Sequence, residues 1–314
     1  MRILITGGAG FIGTKITERL LGQEEKSDIV ILDNFIEQVH GKDYKTIEGI
    51  DYIIGDVADM DSWKDAMSFD PEIIIHLASE TGTGQSMDEI SRYVRTNVLG
   101  TANMLELLNT TKHNVKKIIL SSSRAVYGDG ENIETNGSLQ PVSIYALTKL
   151  DQERLLKISC TIPYTIYRYQ NAYGPGQSIK NPYTGIISIF SEKFSKGETV
   201  SIWDNGEPSR DFIYVEDIVT ATLLAIKNKK TDYESYNVGT GQAVPILDVA
   251  EKLKEMINPD CDIKITDYHR PGDVMHAYGD INKIKNELDW KPEFTLEEGL
   301  SNFVEWFKAQ KYEN

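Results

Sequence analysis

Short β-branched runs alternate with longer amphipathic segments through the first half of the chain. The runs lie at 2–6 (RILIT), 29–33 (IVILD), 51–54 (DYII), 73–77 (IIIHL) and 117–121 (KIILS). Between them Phe11, Ile12, Ile16, Leu20 and Leu21 recur at helical spacing, and so do Val94, Val98, Leu105 and Leu108. Continuous apolar strands separated by helices predict a parallel sheet with helices on both faces. Two further strands are predicted at 164–169 (YTIYRY) and 235–238 (SYNV). After about residue 172 the pattern loosens, and glycines and prolines cluster at 174–185, 205–208 and 271–272. The expected architecture is α/β. A doubly wound parallel sheet occupies 1–172, with a later return of the chain near 210–240. A smaller, discontinuous α/β lobe is formed mainly by 173–314.

Composition narrows the class. Of 314 residues, 40% are hydrophobic and 26% charged, an ordinary globular balance. No apolar run approaches the roughly 20 residues that cross a bilayer. The first strand leads straight into a glycine turn, so no targeting segment is expected. Cys160 and Cys261 define neither a disulfide framework nor a metal cluster, and His40, His113, His269 and His276 show no metal-ligand spacing. No metal and a cytoplasmic location are expected. A formal charge of -15 argues against a nucleic-acid surface. It leaves room for an anionic small ligand held by a few arginines and helix N-termini. His76, in an apolar strand, reads as core. Trp63, Trp290 and Trp306 read as packing, and Lys227, Lys229 and Lys230 as a solvated loop.

Residues 6–13 read TGGAGFIG, with Gly7, Gly10 and Gly13 spaced by three between a predicted strand and a predicted helix. Glycine permits the tight turn and lets the backbone approach a pyrophosphate, while the helix N-terminus presents free N–H groups. Asp33 ends the second strand, where a carboxylate can accept bonds from the ribose hydroxyls of a dinucleotide. The same charge repels a 2′-phosphate, so NAD is expected over NADP. Asp56, in GDV, fits either an adenine edge or a strand-end turn.

Residues 121–127 read SSSRAVY and 145–149 read YALTK. Tyr145 and Lys149, four apart on a helix, share one face. A nearby ammonium and a cationic nicotinamide both favour tyrosinate, so the phenol is expected to titrate below its usual value of about 10. That suits a general base for an alcohol. Ser123 lies at the C-terminal end of a parallel strand, where it can bond the same hydroxyl.

TGGAGFIG, ILDN, GDV, HLAS, SSSRAVYG, YALTK, RYQNAYGPG, SRDFIYVED and RPGD, in that order, resemble the extended short-chain dehydrogenase/reductase family. More narrowly they resemble its nucleotide-sugar epimerases and dehydratases. The resemblance implies a Rossmann-type fold and makes Ser123, Tyr145 and Lys149 catalytic. It places Gly7, Gly10, Phe11, Ile12, Gly13, Asp33, Asn34, Asp56, Val57, Leu77, Ala78, Ser79 and Asn97 with Tyr145 and Lys149 on NAD. It places Thr81, Ser123, Arg124, Asn171, Arg210, Arg270, Asp273 and Ala277 on a nucleotide-diphosphate sugar. Asn171 and Arg210 match phosphate ligands, and Arg270 with Asp273 matches the pair on phosphate and ribose. Ala277 matches a position that limits room around the sugar. By residue type alone each arginine could equally form a surface ion pair, and Arg210 lies between Glu207 and Asp211. The helices at 87–110 and 143–158 could pair with their copies in a homodimer, or be buried within one chain.

Four functions fit these residues unequally. A 4-epimerase needs only NAD and the Ser-Tyr-Lys set. A 4,6-dehydratase of this family needs an acid and a base just after the catalytic serine, where this chain has Arg124 and Ala125. A 4-ketosugar reductase or reductive epimerase resembles relatives with a reactive cysteine near that loop, and neither cysteine is there. A non-enzymatic NAD-binding regulator leaves the complete triad without a role. The stretches 78–87 (ASETGTGQSM) and 174–186 (GPGQSIKNPYTGI) resemble epimerases of dTDP-6-deoxyhexoses more than those of UDP-glucose. The expected substrate is a UDP-hexose or a dTDP-6-deoxyhexose.

Overall fold

The computed structural model describes residues 1–42, 44–179 and 181–311. Lys180, inside the 174–186 stretch, lies outside them. The chain opens with β1 (Arg2–Thr6), α1 (Phe11–Leu21), β2 (Asp28–Asp33), a short α2 (Glu37–His40) and β3 (Asp51–Ile54). Next come α3 (Met60–Ser68), β4 (Ile73–His76), α4 (Thr83–Asp88), α5 (Ile90–Tyr93), a π turn (Val94–Leu99) and α6 (Gly100–Thr110). β5 (Lys117–Ser123) ends in a 3-10 turn (Arg124–Tyr127), followed by β6 (Gly130–Ile133), α7 (Ile144–Ser159), β7 (Tyr164–Tyr169) and β8 (Asn171–Tyr173). Then follow α8 (Ile186–Ser195), β9 (Val200–Ile202), β10 (Ser209–Arg210), β11 (Phe212–Tyr214), α9 (Val215–Lys227) and β12 (Glu234–Val238). The rest is β13 (Val244–Pro245), α10 (Ile246–Ile257), β14 (Ile263–Ile265), β15 (His276–Gly279), α11 (Asn282–Leu288) and α12 (Leu296–Lys311).

The seven strands that periodicity predicts form one parallel sheet, in the order β12-β7-β5-β4-β1-β2-β3. Strand alternation divides its side chains between two cores. Ile3, Ile5, Ile31, Ile75 and Ile119 face α1 and α9 through Ile16, Leu20, Ile218 and Val219. Leu4, Leu32, Ile74, Ile118 and Leu120 face α3, α6 and α7 through Trp63, Met104, Leu105 and Leu156. With both faces covered, the strands had to be apolar throughout. The order reverses between β1 and β4, which opens a crevice at the strand C-termini.

A third core lies beyond β8, where Phe190, Phe194, Phe212, Val249, Leu253, Phe303 and Phe307 join α8, α10 and α12. The chain does not divide cleanly in two. α9 and β12 return to the main sheet, and Ile281, Ile284 and Trp290 return again to its first core. In the other direction β6 leaves the first half to complete a four-stranded sheet, β13-β10-β15-β6.

The predicted 87–110 helix is interrupted. Glu89 leaves helical geometry at φ -110° and ψ 47°, and a π turn follows. Asn97, inside that turn, points inward. Its Oδ1 accepts from Glu80 N and Ser79 Oγ, and its Nδ2 donates to Thr148 Oγ1. Polar bonds that apolar spacing does not register set the local geometry. The 143–158 helix is observed one residue later, because the Ser143 hydroxyl caps it by accepting from Ala146 N. His76 is core, as its setting predicts. It lies between Thr6 Oγ1 at 2.7 Å and Thr101 Oγ1 at 3.0 Å, and burial lowers its pKa to about 3. Trp63 and Trp290 are buried.

Candidate active site

A cavity of about 830 Å³ runs from the glycine turn, past the C-terminal ends of β4 and β5, into the third-core lobe. At one end Gly7 has φ +67°, and a Cβ there would lie 2.6 Å from Ala78 N. A Cβ on Gly13 would lie 2.5 Å from Gly8 Cα. Only glycine lets these backbones touch. Gly10 begins α1 with no side-chain cap, so the first-turn N–H groups remain available. A narrow backbone cradle at a bare helix N-terminus fits a dinucleotide's pyrophosphate.

Phe11, Ile12, Asn34, Val57, Leu77, Ala78 and Ser79 line this end with Gly7, Gly10 and Gly13. Asp33 joins them, and its carboxylate also braces the turn. Oδ2 accepts from Ala9 N at 3.1 Å and Oδ1 from Phe35 N at 2.9 Å. A carboxylate has lone pairs left after two such bonds. Two expected cofactor residues lie beside the cavity wall rather than on it. Asp56 accepts from Ala58 N at 2.8 Å, which is the strand-end turn reading of that residue. Asn97 stands behind Ser79 and Glu80, as described above.

At the middle of the cavity Ser123, Tyr145 and Lys149 come together from β5 and the first two turns of α7. The expected lowering of the Tyr145 phenol is not produced by the chain's own groups. Burial raises it, and a hydrogen bond from Ser123 only partly opposes that. Lys149 is buried too, and its Nζ donates to Ser121 O at 2.8 Å. Burial lowers its ammonium to about 7, against an opposing pull from Glu153 one turn on. A dry pocket penalises both charged forms, and that outweighs their proximity.

At the far end Arg210 is not in a surface ion pair. Its Nη1 donates to Ser209 O and Met275 O, and its Nη2 to Val274 O at 2.7 Å. Asp211 turns away, accepting from Thr240 N, Thr240 Oγ1 and Gly241 N. Arg270 forms a two-point pair with Asp273, at 2.9 and 2.7 Å, and its guanidinium lies 5.3 Å from the Trp203 ring centre. Asn171, Ala277 and Thr81 also line this end. Ala277 is buried beside Arg210 in the β10–β15 register.

Arg124 is held more firmly than its residue type suggests. It lines the cavity, but both Nη atoms are engaged on backbone, at Gly128 O, Gly130 O and His276 O. It ties the strand-end loop to β15, and its Nε is buried without a hydrogen-bond partner. Burial and the neighbouring Arg210 lower its pKa to about 10.

Sequence reasoning missed Trp203 and Asp204, which line the cavity, and Tyr93, which lies outside the lining beside Tyr145. Trp203 and Asp204 carry no motif spacing. Tyr93 is fully buried, donates to Gly82 O at 2.9 Å, and sets its ring edge-on to Tyr145 at 6.5 Å. A tyrosine in an apolar helix gives no sign of such a contact.

The fold and this site together define an enzyme of the dinucleotide-dependent type, and the chain belongs to the NAD dependent epimerase/dehydratase family, whose model matches residues 3–239. Its cofactor is NAD. Among relatives, it is 34% identical to dTDP-L-rhamnose 4-epimerase of Burkholderia thailandensis, over 98% of this chain and 95% of that one. It is 35% identical to a putative UDP-glucose 4-epimerase of Methanocaldococcus jannaschii, over 98% of each. Its structure resembles that of UDP-glucose 4-epimerase from Thermotoga maritima, solved with UDP-glucose. The TM-score is 0.91 and the identity 32%, over 99% of this chain and 100% of that one. Among the described residues, no helix is long and apolar enough to cross a membrane.

Proposed function

We propose that the protein inverts carbon 4 of a hexose carried on UDP or dTDP, through a transient 4-keto sugar. The observation that carries this is the loop after Ser123. Arg124 is engaged on three carbonyls and Ala125 is apolar, so the loop that continues from the catalytic strand supplies no acid–base pair for removing water. NAD, when bound, supplies a hydride acceptor that can return what it takes. The chain's own groups do the rest. Tyr145 removes the hydroxyl proton and later gives it back, and Ser123 bonds the same oxygen. Lys149 supplies a positive charge when protonated, which favours the tyrosinate. Arg210 and Arg270 bring positive charge to the far end, where a diphosphate can be held through the guanidinium N–H groups that the Ser209, Val274 and Met275 carbonyls and Asp273 leave unused.

The test follows hydrogen. Substrate deuterated at carbon 4 should keep its label in the epimer, with no NADH accumulating. In deuterated water nothing should enter carbon 5 or carbon 6. Solvent label in the ring, or a product lighter by one water, would overturn the epimerase reading. A panel of UDP-, dTDP-, CDP- and GDP-hexoses, followed by NMR of the products, identifies the base. Turnover confined to CDP or GDP sugars would contradict it.

The same reading includes a homodimer. Ile90, Val94 and Leu99 are exposed on the segment before α6, and Leu147 and Ile158 on α7, a patch of apolar side chains suited to a second copy. Sedimentation should give twice 35.4 kDa, and a monomer at micromolar concentration would remove the dimer. We also place the protein in the cytoplasm, in keeping with two free cysteines. Recovery with periplasmic or membrane fractions would contradict that.

A further inference from the structure

Three segments distant in sequence meet at the cavity wall, a few residues past Asp33 and Asn34 of the cofactor end. They are α2, the Glu80–Arg92 stretch, and the loop carrying Ser178 and Asn181. Their contact is a cluster of amides. Gln38 Nε2 donates to Gln85 Oε1 at 3.0 Å, and Gln85 Nε2 returns a bond to Gln38 Oε1 at 3.1 Å. Gln38 Nε2 also reaches Asn181 Oδ1 at 3.2 Å. Arg92 Nη1 donates to the same Gln38 oxygen at 3.0 Å, and Ser178 Oγ donates to Val39 O at 3.1 Å. Gln85 and Asn181 are buried, although both are residues that usually remain in water. Gln38, Val39, Ser178 and Asn181 all line the cavity.

We propose that the Gln38–Gln85–Asn181 cluster is a clasp that retains NAD. It joins the loop after the adenosine strand to two segments of the opposite wall. NAD seated on the glycine turn then leaves only when these bonds open. The proposal rests on that seat.

The geometry supports retention over mere packing. Gln85 and Asn181 are buried and Gln38 half-buried, and Gln38 bonds to both of the others across segment boundaries. The reciprocal bonds form only when the segments are together, while Gln85 Nε2 also donates to Glu89 Oε1 at 2.8 Å within its own segment. Opening the reciprocal pair exposes polar groups that water can take up, so the barrier is finite and the opening local. Arg92 carries the clasp toward the chemical end, since its other nitrogen, Nη2, lies 2.8 Å from Glu80 Oε2.

The test is exchange of bound NAD for radiolabelled NAD, read by filtration of the protein and independent of turnover. Gln38→Ala should exchange about ten to a hundred times faster than wild type, the range expected for losing one or two hydrogen bonds. Gln85→Ala should do the same. The double variant should be little faster than either, because the two amides form one device. Asn181→Ala should give a smaller acceleration, and circular dichroism with thermal melting checks that each variant is folded. Wild-type exchange rates in folded Gln38→Ala and Gln85→Ala would overturn the clasp. Absence of NAD from the denatured wild-type protein, with no binding of labelled NAD by that same protein, would overturn the seat itself, and with it the clasp. The two failures are therefore distinguishable.

Discussion

The two ends of the cavity are built by different means. The cofactor end is backbone. Gly7 and Gly13 meet Ala78 and Gly8 at distances no side chain tolerates, and α1 presents bare N–H groups. All of it comes from the first four βα units. The far end, which we assign to the sugar, is side chain. Thr81, Asn171, Arg210, Arg270 and Ala277 arrive from five separate segments, brought together because the chain re-enters the first core twice. A ligand common to a whole family can be bound by backbone shape, which mutation rarely alters. A ligand that varies between members needs exchangeable side chains. The comparison implies that changes at the first end act on every substrate alike, and changes at the second discriminate.

The largest expected effect lies at the junction. Tyr145→Phe keeps the ring and removes the proton acceptor. Turnover should fall by about 10²–10⁴-fold, whichever sugar is offered, while substrate binding by calorimetry is kept. Ser123→Ala should also slow turnover, though it leaves the base in place. Turnover near wild type in the phenylalanine variant would remove Tyr145 from the mechanism.

The two ends also differed in how far the sequence revealed them. All seven sheet strands were legible, because strands buried on both faces must be apolar throughout. The glycine turn was legible because close backbone contact leaves no other residue possible. Arg124 was not. Its type suggested a ligand, but its fork goes to three carbonyls on two other segments, which no local pattern records. The break at Glu89 and the inward Asn97 were hidden for the same reason, since long-range polar bonds override helical spacing. The Tyr145 expectation counted charge and left out burial, which raises that phenol.

A smaller effect concerns how the ends are joined. Asp211 ties the β10–β11 segment to the Thr240–Gly241 turn that follows β12 of the main sheet. Burial raises its pKa from 3.8 to about 6, despite three donors that favour the carboxylate. A folded pKa above the unfolded one gives stability that is complete below about pH 4 and is lost as pH rises through about 6. Asp211→Asn cannot titrate. The stability of wild type relative to this variant should therefore fall between pH 4 and 6.5, by on the order of 1–3 kcal/mol. Denaturant melts at several pH values measure it, and a constant difference across that range would show that Asp211 is charged throughout.

The smallest effect addresses the comparison most directly. Ala277 is buried in β15 beside Arg210 and lines the sugar end, where its methyl group leaves room. Ala277→Tyr fills that room without touching the glycine turn. It should lower kcat/KM for a hexose with a bulky 2-acetamido group by about tenfold more than for one with a 2-hydroxyl, the usual scale of steric discrimination in a pocket. NAD retention should be unchanged, because no part of the cradle at Gly7 or Gly13 involves this strand. Equal losses for both sugars would mean that Ala277 faces something other than the sugar's variable substituent. Loss of NAD in the same variant would break the comparison itself, by showing that the side-chain end supports the backbone end.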